Sequence, residues 1–269
     1  MNYFKCKNHE FPLGEKTYIM GILNITPDSF SDGGLYFAPE KAYERALAIE
    51  RDGADIIDVG AMSTRPFSEP VSVDEEISRL EPVFKRVTGA VKIPVSIDTF
   101  NIETARFALE NGAAIINSVG EFSEDMVRLA KEYNAGFVIC HTLGLPSESV
   151  IEYENGVITA VRSFFEETLE KALEIGLKKE NIIFDPGFGF SKDAEQCIEL
   201  LHNISKVKIP GAALLAAVSK KRFTKGLFGK SEYITDGRDT TLANYEAVRG
   251  GADIIRVHDV RSQVLGIRR

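Results

Sequence analysis

The chain has 269 residues, 44% hydrophobic and 27% charged, with a formal net charge of −8. That balance suits a globular protein and speaks against general binding to nucleic acid or an anionic membrane. Three cysteines without a CxxC spacing argue against a disulfide framework or a zinc site and fit a reducing compartment. The start, MNYFKCKNHE, lacks the apolar stretch of a secretion signal, and no apolar run reaches spanning length, so a cytoplasmic location is expected.

In chain order, TYIMGILNIT (17–26) reads as a buried strand. It halts at Asn24, before a turn-rich stretch that still carries Phe30. A helical pattern, KAYERALAIERD (41–52), precedes the strand-like ADIIDVG (54–60). Ser72 then caps SVDEEISRLEPVFKRV (72–87), whose acidic first turn marks a helix start. The alternation continues with PVSIDT, NIETARFALEN, AAIINSVG, SEDMVRLAKEYN, GFVICHT and VITAVRSFFEETLEKALEIG. It closes with NIIFDPG, DAEQCIELLHNISKV, AALLAAVS, DTTLANYEAVRG, ADIIRVHD and a short last helix over 261–269.

One phrase recurs: GADIID (53–58), GAAIIN (112–117) and GADIIR (251–256). Each follows a helical pattern, so a glycine cap leading into a buried parallel strand is the repeating unit. Eight strand candidates alternating with helices predict a single-domain α/β TIM (β/α)8 barrel over 1–269, with a doubly wound open sheet as the main alternative.

The strands end in polar residues: Asn24, Asp58, Asp98 with Thr99, Asn117, His141, Asp185, Ser219, and Arg256 with His258. In a parallel barrel these ends share one mouth. Any one of them could simply tie a loop; the whole set is better explained by a ligand, because buried polar groups are costly without partners. Asp98, Asp185 and Asn117 suit an edge rich in N–H donors, and Arg65, Arg256 and His258 suit phosphate oxygens. Lys220 and Lys221 follow the seventh strand, where barrels often bind anions. Asn24 offers one hard oxygen, enough for Mg²⁺ that is otherwise held by a diphosphate. There is no GxSxG, HExxH or P-loop to suggest another chemistry.

GILNITPDSFSDGG (21–34), SIDT (96–99), DPGFGF (185–190), the Ser219-Lys220-Lys221 stretch and RVHDV (256–260) together resemble dihydropteroate synthase. The resemblance runs from about Tyr18 to Val260. It implies a barrel transferase of folate biosynthesis and a sulfonamide target. Such an enzyme joins 6-hydroxymethyl-7,8-dihydropterin diphosphate to p-aminobenzoate with release of pyrophosphate. Asp98, Asn117, Asp185 and Lys221 would hold the pterin, with Arg256 beside it. Asn24 would bind Mg²⁺, while Thr64, Arg65 and His258 would bind the diphosphate. Phe190, Pro66 and the backbone from Ser219 to Lys221 would border the aminobenzoate. Arg65, Lys221, Arg256 and His258 would carry the catalysis, the 26–34 loop would close the site with Phe30 as an apolar cover, and a homodimer through the C-terminal helices is implied.

The chain departs from the usual pattern at Ala61, Met62, Phe67, Ser118, Cys140 and Lys220. Those departures motivate a second hypothesis, a paralogue that binds pterin without condensing it. A pterin-dependent methyltransferase with a corrinoid partner is a third, opposed by the intact diphosphate set. His9 and His202 are expected at the surface, and Cys6 and Cys197 to be bystanders.

Overall fold

The structure is a computed structural model that describes residues 2–25, 38–61, 71–142, 150–226 and 238–267. A short antiparallel hairpin, β1 (Tyr3–Cys6) and β2 (His9–Pro12), comes first. Eight βα units follow. They run β3 (Tyr18–Asn24) with α1 (Ala38–Arg51), β4 (Ile56–Gly60) with α2 (Val73–Ala90), β5 (Val95–Asp98) with α3 (Ile102–Glu110), and β6 (Ile115–Ser118) with α4 (Glu124–Glu132). The second half comprises β7 (Gly136–Cys140) with α5 (Val157–Ile175), β8 (Ile182–Asp185) with α6 (Ala194–His202), β9 (Ala213–Ala216) with α7 (Arg238–Arg249), and β10 (Ile254–Val257) with α8 (Val260–Ile267). The strands pair in parallel in the order β10-β3-β4-β5-β6-β7-β8-β9 and close on themselves, so the barrel is formed and the open sheet is excluded.

Strand period sorts the side chains. Ile19, Leu23, Ile57, Val59, Ile97 and Ile116 point out and pack with the helices. Met20, Ile56, Ile115, Val138, Ile183, Leu215 and Ile254 fill the barrel interior. Counting two residues on from these inner positions places Asp58, Asn117, Cys140, Asp185 and Arg256 inward, one layer nearer the mouth, and counting four on from Met20 does the same for Asn24.

The recurring phrase has a structural cause. Gly53, Gly112 and Gly251 all take φ near +100° (101°, 102° and 96°), the left-handed turn that ends a helix. Asp55 then accepts from the Ile19 amide at 2.8 Å, and Asp253 accepts from the Leu214 amide at 2.9 Å. Each carboxylate thereby ties its strand to a neighbour at the lower end of the barrel and pairs with a lysine, Lys16 or Lys208, at 2.9 Å. The predicted caps also form: Ser72 accepts from the Glu75 amide and Ser123 from the Met126 amide.

The hairpin was not predicted. Phe4 stacks on Phe11 at 5.6 Å, and Phe11 meets the edge of Tyr18 at 4.9 Å. Phe4 lies against Gly136, where a β-carbon would come within 2.6 Å of its ring, so the hairpin plugs the lower end of the barrel. Cys6 is buried in this plug, and His9 is half-buried on β2 instead of fully exposed, whereas His202 is exposed. The helix predicted over 193–207 ends at His202 and resumes as a 3-10 turn, Ile204–Val207. Among the described residues, no helix is long and apolar enough to cross a membrane.

Candidate active site

Arg256 reaches inward from β10 past β3 to the next two strands. Its Nε donates to Asp58 Oδ2 at 2.6 Å, and its Nη2 donates to Asp98 Oδ2 at 2.5 Å. The Asn117 Nδ2 donates to the same Asp58 oxygen at 2.9 Å. The two carboxylates hold the guanidinium well above its ordinary range against the cost of burial. Asp98 is pushed up to about 7, chiefly by burial and further by Asp58, Glu76 and Asp185, with Arg256 opposing. The second oxygens, Asp58 Oδ1 and Asp98 Oδ1, together with Ser96 Oγ, are buried and lack a hydrogen-bond partner among the described residues. Each such group costs about 1–3 kcal/mol until something donates to it. Two carboxylate acceptors side by side fit a planar ligand with adjacent N–H groups.

The opposite wall comes from β8 and the turn after β9. Asp185 accepts from the Gly187 amide at 2.8 Å, which holds the turn that follows it. Lys221 donates to the Phe188 carbonyl, and its ammonium lies 4.5 Å from the centre of the Phe190 ring. Burial lowers the Lys221 ammonium, with Asp185 working against that shift; burial raises Asp185, with Lys221 as the main opposing charge. Lys221 therefore turns toward the loop after β8, where its charge and that of Asp185 act on each other. Lys220 is exposed, with φ at 58°.

At the rim, the Ser219 hydroxyl lies 2.9 Å from His258 Nδ1 and accepts from the His258 amide at 3.3 Å. That pair fixes the ring, while Arg45 donates to the His258 carbonyl at 3.1 Å. Asn24 ends β3 beside Gly60, which has no side chain to fill the space. A β-carbon there would lie 3.7 Å from Asn24 Oδ1 and 3.8 Å from Asp98 Oδ2. One hard amide oxygen beside a glycine fits Mg²⁺ whose remaining ligands would be phosphate and water.

Asn24, Asp98, Asn117, Asp185, Phe190, Ser219, Lys221, Arg256 and His258 thus gather at the mouth. Thr64, Arg65, Pro66 and Phe67, and the 26–34 loop with Phe30, lie outside the described residues. His141 is the exception. Its ring meets Phe164 edge-on at 5.0 Å and Tyr153 at 5.9 Å, on the α5 side, so it packs under a helix instead of facing the ligand space.

Two further residues shape the site: Asp58, which the sequence marks only as one of the polar strand ends, and Lys192, which no motif marks. Asp58 is fully buried and organises both Arg256 and Asn117. The ammonium of Lys192 lies 2.8 Å from His141 Nδ1 and donates to the carbonyls of His141, Gly187 and Phe190 at 3.1–3.2 Å. Burial, helped by Lys192, lowers His141 to about 3, so its imidazole is neutral and accepts; burial brings Lys192 down to about 8. For Asp58 the available signal was an acid inside an apolar run, two residues before the end of its strand.

A family profile described as pterin binding enzyme matches residues 20–258. The dihydropteroate synthase of Streptococcus pyogenes serotype M6 is 41% identical over 257 residues, covering 94% of each chain. The crystal structure of a Clostridium difficile dihydropteroate synthase with pteroic acid superposes with a TM-score of 0.88 at 37% identity, covering 96% of this chain and 97% of that one. The Xanthomonas albilineans enzyme with 4-aminobenzoic acid gives the same TM-score at 32% identity, covering 98% and 94%.

Proposed function

We propose, for a chain that belongs to the pterin-binding enzyme family and acts as a dihydropteroate synthase, the following division of labour in the barrel mouth. The enzyme condenses 6-hydroxymethyl-7,8-dihydropterin diphosphate with p-aminobenzoate, giving 7,8-dihydropteroate and pyrophosphate in folate biosynthesis. The relatives' identity over nearly the whole chain favours this activity over a pterin-binding paralogue without turnover.

The pterin lies against Asp58, Asp98, Asn117, Asp185 and Lys221, with Arg256 alongside. The observation that carries this placement is a pair of buried oxygens, Asp58 Oδ1 and Asp98 Oδ1, that lack a partner among the described residues. Ring N–H groups of the pterin would supply the missing donors. Thr64, Arg65 and His258 hold the diphosphate, and Ser219 keeps the His258 ring turned toward it. Phe190, Pro66 and the backbone of Ser219–Lys221 border p-aminobenzoate, which is also where a sulfonamide would compete.

Chemically, the C–O bond from the pterin methylene to diphosphate breaks. A C–N bond to the arylamine forms, and the amine nitrogen releases one proton. The neutral arylamine needs no strong base, so these residues act by orientation and by stabilising charge on the leaving group. Mg²⁺ held by Asn24 supplies further neutralisation of the diphosphate when bound. The protein works in the cytoplasm as a homodimer.

The test is pyrophosphate release measured with each substrate omitted in turn, across a Mg²⁺ titration. Release that needs both substrates and Mg²⁺, with Asn24→Ala shifting the Mg²⁺ requirement upward, is expected. Release unaffected by chelation, or an Asn24→Ala titration that superposes on wild type, would remove the ion from this scheme.

A further inference from the structure

We infer that Lys192 is a positioning residue for the arylamine side of the site: its buried ammonium clamps the turn over 186–190 to the end of β7, and so sets where Phe190 stands.

Lys192 is 6% exposed, rare for a lysine, and its charge has no carboxylate within hydrogen-bonding distance among the described residues. Instead its three N–H groups face four acceptors. Two of them, the carbonyls of Gly187 and Phe190, belong to the turn; the other two, Nδ1 and the carbonyl of His141, belong to the residue after β7. The clamp joins surfaces that already touch. A β-carbon on Gly187 would come within 2.1 Å of the His141 carbonyl oxygen, and Gly187 takes φ of 69° to make that approach. The far side of the same turn meets Lys221 twice, through the Phe188 carbonyl and the Phe190 ring. Lys192 beneath and Lys221 above therefore hold one segment between them. The pterin contacts on β4, β5 and β6 lie outside this segment, Asp185 precedes it on β8, and Lys221 comes from the turn after β9. Loss of the clamp should displace the arylamine side and largely spare the pterin side.

The inference rests on the proposed placement of Phe190 beside p-aminobenzoate. Its test is steady-state pyrophosphate release with each substrate varied, for Lys192→Met, Lys192→Gln and Phe190→Ala, alongside thermal melting. Lys192→Met should raise KM for p-aminobenzoate about tenfold and KM for the pterin diphosphate less than about threefold, a split that general destabilisation would not produce. Lys192→Gln keeps donors for the carbonyls, should fold if the Met variant does not, and should fall between wild type and Met. For either variant, an unchanged KM for p-aminobenzoate, or an equal rise in both KM values, overturns the inference. If Phe190→Ala itself leaves KM for p-aminobenzoate unchanged, the placement of Phe190 fails. If Phe190→Ala raises it and the Lys192 variants do not, the clamp alone fails.

Discussion

The Nε of Arg256 stands 2.6 Å from Oδ2 of Asp58, a carboxylate with no solvent exposure. A buried pair of this kind adds little net stability, yet removing one partner strands the other, at a cost of about 3–5 kcal/mol. Asp58→Ala should therefore destabilise the protein by that order in denaturant titration. It also leaves Arg256 held by Asp98 alone and takes the acceptor from Asn117. Calorimetry should show weaker pterin binding. Unchanged binding by a folded Asp58→Ala variant would place the pterin elsewhere.

Asp98 titrates near 7 because burial disfavours its charge. An unfolded aspartate titrates near about 4. Between those values the folded state binds a proton that the unfolded chain has released. Stability from this group is thus fully present below about 4, declines as pH rises, and is lost once pH passes 7. Asp98→Asn should flatten that part of the stability profile. Pterin binding should run the other way, tightening as pH rises through about 7, because the proposed ring donors need the ionised carboxylate. The Asn variant should lose that dependence too. A pH-independent wild-type affinity between pH 5.5 and 8.5, values about equally spaced around that titration, would count against Asp98 as an acceptor.

Phe4 is fully buried at the end of the barrel away from the site. Phe4→Ala removes a plug that also stacks on Phe11, and core truncations of this size cost about 3–5 kcal/mol. The melting temperature should fall while turnover per folded molecule at low temperature stays near wild type. A matched loss of turnover would mean that the plug shapes the mouth through the strands.

Where the barrel could be read from sequence, the reason was local: each strand is a short apolar run with a polar residue near its upper end, and three of them, β4, β6 and β10, follow a glycine cap. What escaped was long-range. Asp58 reads as one acid in ADIIDVG, and only closure of the barrel brings Arg256, 198 positions later, onto it. His141 ends its strand like the others, but it stands one step past the inward Cys140, so its ring turns out under α5. The hairpin hid because its turn carries Lys7 at a φ of 48°, where glycine or asparagine would have signalled it. Lys192 hid because its partners are chiefly carbonyls, which no sequence motif records.

The proposed homodimer has a surface to match. Leu242 and Tyr245 lie one turn apart on α7, 42% and 48% exposed, and Leu265 on α8 is 60% exposed. These helices are pinned together by the buried Asn244–Gln263 bond at 3.1 Å and by Gln263 donating to Thr241 at 2.9 Å, so the apolar side chains sit on a rigid pair. Exposed leucine and tyrosine on adjoining helices, rimmed by Glu246 and Arg249, make a composition typical of an interface core with a polar edge. Sedimentation at micromolar concentration should give a dimer. Tyr245→Glu with Leu265→Glu should give a monomer that still folds, since both side chains point away from the barrel. A wild-type monomer, or a dimer indifferent to both substitutions, would exclude this face. Because the site lies inside one barrel, the monomeric variant should retain pyrophosphate release; loss of activity on dissociation would show that the second subunit steadies the mouth through α7 and α8.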